Sequence, residues 1–164
     1  MTTTSKTSAF APHNHASCIS TTLREVETSC IAKKLRLTPV RRRVLEILLE
    51  EHRALGAYDI LERLSQEGLG TQPPVAYRAL DFLIAHGFAH KLQQKNAFIA
   101  CHHPDDLHHP AFMICSDCGH VAEEDLSHGS RALSEAATRV GFSIHRTNIE
   151  VEGICKSCDE QRPA

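Results

Sequence analysis

No apolar stretch in this chain is long enough to cross a membrane. Of its 164 residues 41% are hydrophobic, but they never gather into the roughly 20-residue run that a spanning helix needs. A helical membrane protein is thereby excluded, and one ordinary domain or two small ones are expected. An export or transit signal is missing too, because the opening MTTTSKTSAFAPHNHAS has no basic segment followed by an apolar core. Residues 1–17 read as a disordered tail and the protein as cytoplasmic. In a reducing compartment, seven cysteines point to metal rather than to disulfides. Strong net charge is also absent: −2 speaks against a polyanion partner only if charge is evenly spread. Residues 18–100 carry 12 Lys/Arg against 9 Asp/Glu, whereas 101–164 carry 5 against 11. A basic half joined to an acidic, Cys/His-rich half suggests a polyanion-binding module attached to a metal module.

Four cysteines form two Cys-x-x-Cys pairs, Cys115/Cys118 and Cys155/Cys158, with 36 residues between the inner members. Each pair can present two thiolates to one ion from a tight turn, and Gly119, directly after Cys118, supplies backbone freedom for it. A structural four-thiolate zinc site is the expected chemistry. Disulfides or a redox pair lack support, with no secretory signal and no strand–helix redox context. The boundary between the halves is expected at 101–110, where CHHPDDLHHP breaks all periodicity. That gives a basic half at 18–100, a hinge at 101–110 and a zinc-stapled half at 111–160.

In the first half, Ile19, Leu23, Val26, Cys30 and Ile31 form a helical stripe. Thr38 as N-cap and Pro39 as first residue start a second helix with Val40, Val44, Leu45, Leu48 and Leu49 inward. A third runs from Ala57 to Gln66, burying Ile60, Leu61 and Leu64. The fourth, from about Pro74 to His86, turns Val75, Ala79, Phe82 and Leu83 inward and Tyr77, Arg78 and Asp81 elsewhere, and Gly87 stops it. FAHKL and NAFIA then read as strands joined through Gln93–Asn96. Helices followed by a hairpin make a winged helix, in which the last helix enters the major groove. Arg78 suits guanine or phosphate, and Tyr77 suits phosphate or a thymine methyl. Arg41, Arg42, Arg43, Lys91 and Lys95 are candidate phosphate contacts, although an arginine triplet on a helix also reads as a solvated face. Cys18 and Cys30 read as small packing residues.

Between His90 and Glu123 lie His90, Cys101, His102, His103, His108, His109 and His120, a dense gathering of imidazole and thiol. One thiolate, two neutral imidazoles and a carboxylate, drawn from His90, Cys101, His108 and Glu123, make a closed set suited to zinc and poorly suited to magnesium or manganese. His90 and Cys101 belong to the wing strands, whereas His108 and Glu123 belong to the hinge and second half. An ion shared by all four is satisfied at one interdomain angle only, which is the logic of a sensor. The other histidines read as exposed or weakly structural.

With these residues on the page, the chain resembles the ferric uptake regulator family, and within it the zinc uptake regulator branch. The resemblance runs from about Cys18 to Cys158 through LTPVRRRVLEIL, AYDILERL, PPVAYRALDFLIAHGFAHKL, NAFIACHHP, HHPAFMICSDCGHVAEE and CKSC. It implies an α+β fold: a winged helix followed by a small α/β dimerisation domain with strands at 112–114, 120–124 and 142–151 and a helix at 130–140. It also implies a homodimer, structural zinc on Cys115, Cys118, Cys155 and Cys158, and regulatory zinc on His90, Cys101, His108 and Glu123, about two ions per chain. DNA contacts carry over as Tyr77 and Arg78, with Tyr58 in addition. The family usually has Thr-Val before this Tyr-Arg; Val75 and Ala76 stand there instead. His109 is a rival to His108 because the loop before it varies.

The expectation is therefore a zinc-responsive repressor of zinc uptake genes that binds palindromic operator DNA as a homodimer, with no membrane partner and no small-molecule substrate other than the metal ion. Alternatives are an iron or peroxide sensor of the same family and a zinc storage or chaperone protein. A zinc deaminase is disfavoured, lacking His-x-Glu upstream of Pro-Cys-x-x-Cys, so no enzyme is expected.

Overall fold

The computed structural model describes Phe10, residues 15–104 and residues 109–162, without the side chain of His128. The chain forms two compact units, Ala11–Asp105 and Asp106–Ala164, with Phe10 belonging to the second.

In the first unit, helix α1 spans His15–Ala32. It begins three residues before Cys18, so residues 15–17 are helix rather than tail. A tertiary hydrogen bond holds this first turn: His15 Nε2 donates to the Glu50 carbonyl at 2.8 Å. Thr22, Val26, Ser29 and Cys30 form its buried face, while Ile31 is 80% exposed. The apolar stripe read from sequence is thus rotated toward the small residues, which let α1 approach closely. Helix α2, Pro39–Glu50, begins as its sequence indicates, with Thr38 Oγ1 accepting from the Arg41 N–H at 3.4 Å. Val44, Leu45, Ile47, Leu48 and Leu49 are buried.

Helix α3, Ala57–Gln66, is capped by the Asp59 carboxylate, which accepts from the Gly56 N–H at 3.0 Å. Helix α4, Pro73–Ala85, packs on α2 and α3 through Ala76, Ala79, Leu80 and Leu83, with Val75 and Phe82 only half-buried. Ala76 and Leu80 rather than Val75 and Phe82 therefore form the deepest contact. Gly87 ends this helix in the left-handed region at φ 74°, which an L side chain adopts only with strain.

Strands β1, Ala89–Leu92, and β2, Ala97–Ala100, pair antiparallel with His90 opposite Ile99. Asn96 takes φ 46° to close the turn. Leu55, just ahead of α3, adds a bridge to the hairpin: its N–H donates to the Phe98 carbonyl at 2.9 Å, and the Phe98 N–H donates back at 2.8 Å. The four helices, hairpin and bridge make a winged helix.

In the second unit, β3 (Pro110–Cys115) lies between β4 (Val121–Asp125) and β5 (Ile149–Gly153). The β3–β4 pair is antiparallel, with Phe112 opposite Glu123, and the β3–β5 pair is parallel through a crossover carrying helix α5, Ser127–Arg139. A short helix, α6, covers Lys156–Asp159. Ala111, Phe112, Ile114, Val121 and Ala122 are buried. The strand expected at 142–151 forms only from Ile149 and runs on to Gly153, because the residues that face β3 are Ile149–Gly153. Leu133, Val140, Phe142 and Ile144 remain exposed on the α5 side.

Candidate metal centres and nucleic-acid face

The Cys115–Gly119 turn is fixed by backbone bonds. The Gly119 N–H donates to the Cys115 carbonyl at 2.9 Å, and the Ser116 N–H donates to the Gly153 carbonyl at 2.8 Å. Gly119 sits at φ 73°, the conformation its position after the second thiol requires. A matching turn at the start of α6 has the Cys158 N–H donating to the Cys155 carbonyl at 3.0 Å. The parallel β3–β5 pairing brings the two turns side by side. All four sulfur atoms, of Cys115, Cys118, Cys155 and Cys158, lie within 4.8 Å of one another, and all four cysteines are free of disulfides.

The electrostatics of this cluster suit a cation. Backbone N–H groups of Cys118 and Cys155 point at the Cys115 sulfur, the latter at 3.3 Å, and hold its thiol down at about 6. Cys158 is pushed up to about 12, chiefly by its hydrogen bond to Cys155 and by burial, and burial raises Cys118 as well. Four crowded thiols cannot all ionise beside one another unless a positive charge sits among them. Sulfur donors at this spacing fit tetrahedral zinc.

On the wing, His90 and Cys101 share a hairpin face. His90 stands opposite Ile99, and the Cys101 N–H continues the ladder to the Phe88 carbonyl at 3.0 Å, so the two side chains are diagonal neighbours. A ring nitrogen of His90 and the Cys101 sulfur lie within 4.8 Å of one another. Cys101 is wholly buried, and its sulfur accepts from the His103 N–H at 3.4 Å. Glu123, in β4 of the second unit, is only 9% exposed. His108 lies outside the described residues. Its rival His109 is at the mouth of β3, where its N–H donates to the Asp125 carboxylate at 3.1 Å.

Along α4, Tyr77 is 41% exposed and Arg78 is exposed, both near its N-terminal end; Tyr58 at the start of α3 is 69% exposed. Lys95 is exposed at the hairpin turn, and Lys91 reaches along the wing with Nζ 5.8 Å from the Phe98 ring centre. The arginine triplet divides. Arg42 pairs with Glu27 and with Glu46 at 2.9 Å, and Arg43 pairs with Glu67 at 2.7 Å and Glu50 at 2.9 Å. These two cations already have carboxylate partners on the partly exposed surface of the unit, and Arg43 draws the Glu67 carboxyl below its ordinary range. Arg41 stacks its guanidinium on Phe82 of α4, 3.8 Å from the ring centre, and donates to the Arg36 carbonyl at 2.7 Å. Sequence reasoning did not foresee that Arg41 braces α4; an Arg two residues inside α2 and an aromatic on α4 carry no mutual signal until the helices cross.

The profile of the ferric uptake regulator family matches residues 32–152. The zinc uptake regulation protein of Escherichia coli (strain K12) is 37% identical over 139 residues, 84% of this chain and 81% of the relative. A solved zinc uptake regulator complexed with zinc and DNA superposes with a TM-score of 0.82 at 36% identity, covering 87% of this chain and 95% of that one. Holo XcZur gives 0.78 at 38% identity, covering 85% and 98%. A winged helix with an exposed Tyr-Arg on its fourth helix, followed by a sheet that gathers four thiols, agrees with these likenesses along most of the chain: the protein belongs to the ferric uptake regulator family.

Proposed function

We propose that the protein is a zinc-responsive repressor of zinc uptake genes that binds palindromic operator DNA as a homodimer in the cytoplasm, and that it has no catalytic activity. The observation that carries this reading is the wholly buried Cys101 thiol beside His90 on the wing face. A thiolate with an imidazole selects zinc over harder ions, which separates this reading from iron or peroxide sensing. His90 and Cys101 from the reading unit, with Glu123 and His108 from the other, hold the regulatory ion. Zinc bound there would supply the positive charge that lets these groups share one site, coupling metal to DNA binding. Cys115, Cys118, Cys155 and Cys158 hold a second, structural ion. The exposed α5 side, with Leu133, Val140, Phe142 and Ile144, forms the pairing surface between two copies.

In the dimer, Tyr77 and Arg78 of each copy enter successive major grooves roughly 34 Å apart. Tyr58, Arg41, Lys91 and Lys95 contact phosphate, so binding weakens as salt rises. The test is an operator gel shift at buffered free zinc, with metal content measured alongside. Cys101→Ser should remain a folded dimer and lose zinc-dependent binding together with one ion per chain. Normal zinc-dependent binding by that variant would refute the regulatory assignment.

A further inference from the structure

Phe10 is the only phenylalanine, tyrosine or tryptophan ahead of Tyr58, and its neighbours in MTTTSKTSAFAPHNHAS are almost all polar or small. Terminal segments of that composition are poorly ordered unless something ties them down. Phe10 is nevertheless half-buried, and it belongs with the second unit although α1, which starts at His15, belongs to the first. It forms part of the wall of an apolar groove of about 190 Å³, together with Met113 and Cys115 of β3, Val151 and Gly153 of β5, and Ile154 and Cys155 just beyond.

The strands account for this groove. Met113 pairs with Val151 and Cys115 with Gly153 in the parallel β3–β5 ladder, so these four positions share one face of the sheet. Gly153 leaves a gap in that row, because a Cβ there would have no neighbour within 4 Å. Its backbone is not in the left-handed region, so conformation does not call for glycine; what the missing side chain provides is room beside Cys115. Burial follows the groove as well. Cys115 and Cys155, which line it, are 2% and 8% exposed, whereas Cys118 and Cys158, which do not, are half-buried. The side of the four-sulfur cluster that adjoins Phe10 is thus the protected side.

We infer that Phe10 is an anchor that seats the N-terminal segment on the groove beside the four-sulfur cluster and shields the Cys115–Cys155 side of the structural ion from water and competing ligands. An aromatic ring is the side chain suited to this, since it covers a large apolar area with little conformational freedom to lose. A chelator or a proton reaches the shielded sulfurs only when the anchor opens, which is a local event and does not require the unit to unfold. The shielding rests on the structural-ion reading given above; the anchoring does not.

The test uses the full-length, zinc-loaded protein. With 4-fluorophenylalanine at position 10, the fluorine resonance should lie away from its position in denatured protein, and it should return there when Gly153→Val fills the groove. Chelator challenge followed by metal release should show a slow phase that is absent in Cys118→Ser and therefore belongs to the four-sulfur ion. That phase should run several-fold faster in Phe10→Ala and stay close to the parent in Phe10→Leu, which restores apolar cover. Circular dichroism checks that each variant is folded; should Gly153→Val not fold, the parent resonance and Phe10→Ala decide. A loaded protein whose fluorine resonates at the denatured position, or a folded Phe10→Ala that releases the slow ion at the parent rate, would overturn the inference. If Cys118→Ser releases zinc as the parent does, the structural-ion reading and the shielding fall together, while a displaced fluorine resonance still upholds the anchor.

Discussion

Arg41 offers the sharpest way to separate a DNA contact from a structural brace. Its guanidinium lies 3.8 Å from the Phe82 ring centre and donates to the Arg36 carbonyl at 2.7 Å. A half-buried cation–π contact contributes about 1 kcal/mol, and a charged donor on a backbone carbonyl contributes about 1.5 kcal/mol or more. These contributions share one side chain and do not simply add, so Arg41→Ala should cost the winged-helix unit about 2 kcal/mol. In a unit of this size that lowers Tm by about 10 °C. Arg41→Lys is the discriminating variant: it keeps the positive charge a phosphate needs but loses the planar face and the fixed fork. Thermal melts followed by circular dichroism at saturating zinc, with salt-dependent operator affinity beside them, read both roles. The structure leads us to expect that Arg41→Lys melts well below the parent while its salt slope stays within one phosphate contact of the parent value. A lysine variant that melts with the parent would sink the bracing argument and leave Arg41 as a phosphate contact alone.

Cys118→Ser should lower both thermal stability and bound zinc by the loss of one ligand of the four-sulfur cluster, read by calorimetry and metal analysis; a variant melting like the parent speaks against a structural ion there. Gly119→Ala forces an alanine to φ 73° with no steric clash to confuse the reading, so it should weaken the same cluster by about 1–2 kcal/mol, seen as a lower midpoint in chelator competition. Arg78→Ala should weaken specific operator binding by about 1–3 kcal/mol, and an unchanged ratio of specific to random DNA binding would remove it from base readout. In zinc-free protein, absorbance at the thiolate band should reveal one thiol titrating near pH 6, absent in Cys115→Ser, because backbone donors hold Cys115 at about 6. The sign follows: a depressed thiol pKa adds stability that is full above its ordinary value of 9.0 and is lost as pH falls toward 6. Titration indistinguishable between the two proteins counts against those donors.

Much of the architecture could be read from local chemistry. Thr38-Pro39, the α3 boundaries, Gly87 and the Gln93–Asn96 turn all stand where their residues indicated, because caps, prolines and left-handed glycines act over three or four neighbours. The four-cysteine cluster was also legible, since Cys-x-x-Cys needs little more than a turn to aim two sulfurs. Errors lie where a face is chosen by a distant partner. Ile31 is exposed while Thr22 and Ser29 are buried, and the last strand begins at Ile149 rather than Phe142 because pairing with β3 selects it.

The sequence alone determined the family, the two-part organisation and which four cysteines gather in one cluster, all properties of short-range pattern and residue type. Only the tertiary structure decided which cations are left for DNA. Arg41, Arg42 and Arg43 look alike along the chain, yet helix crossing puts Phe82 under the first, and Glu27, Glu46, Glu50 and Glu67 beside the other two. Charge is written in the sequence, but its partner is a matter of distance in space, and a cation already paired with carboxylates must leave them before it can serve a phosphate.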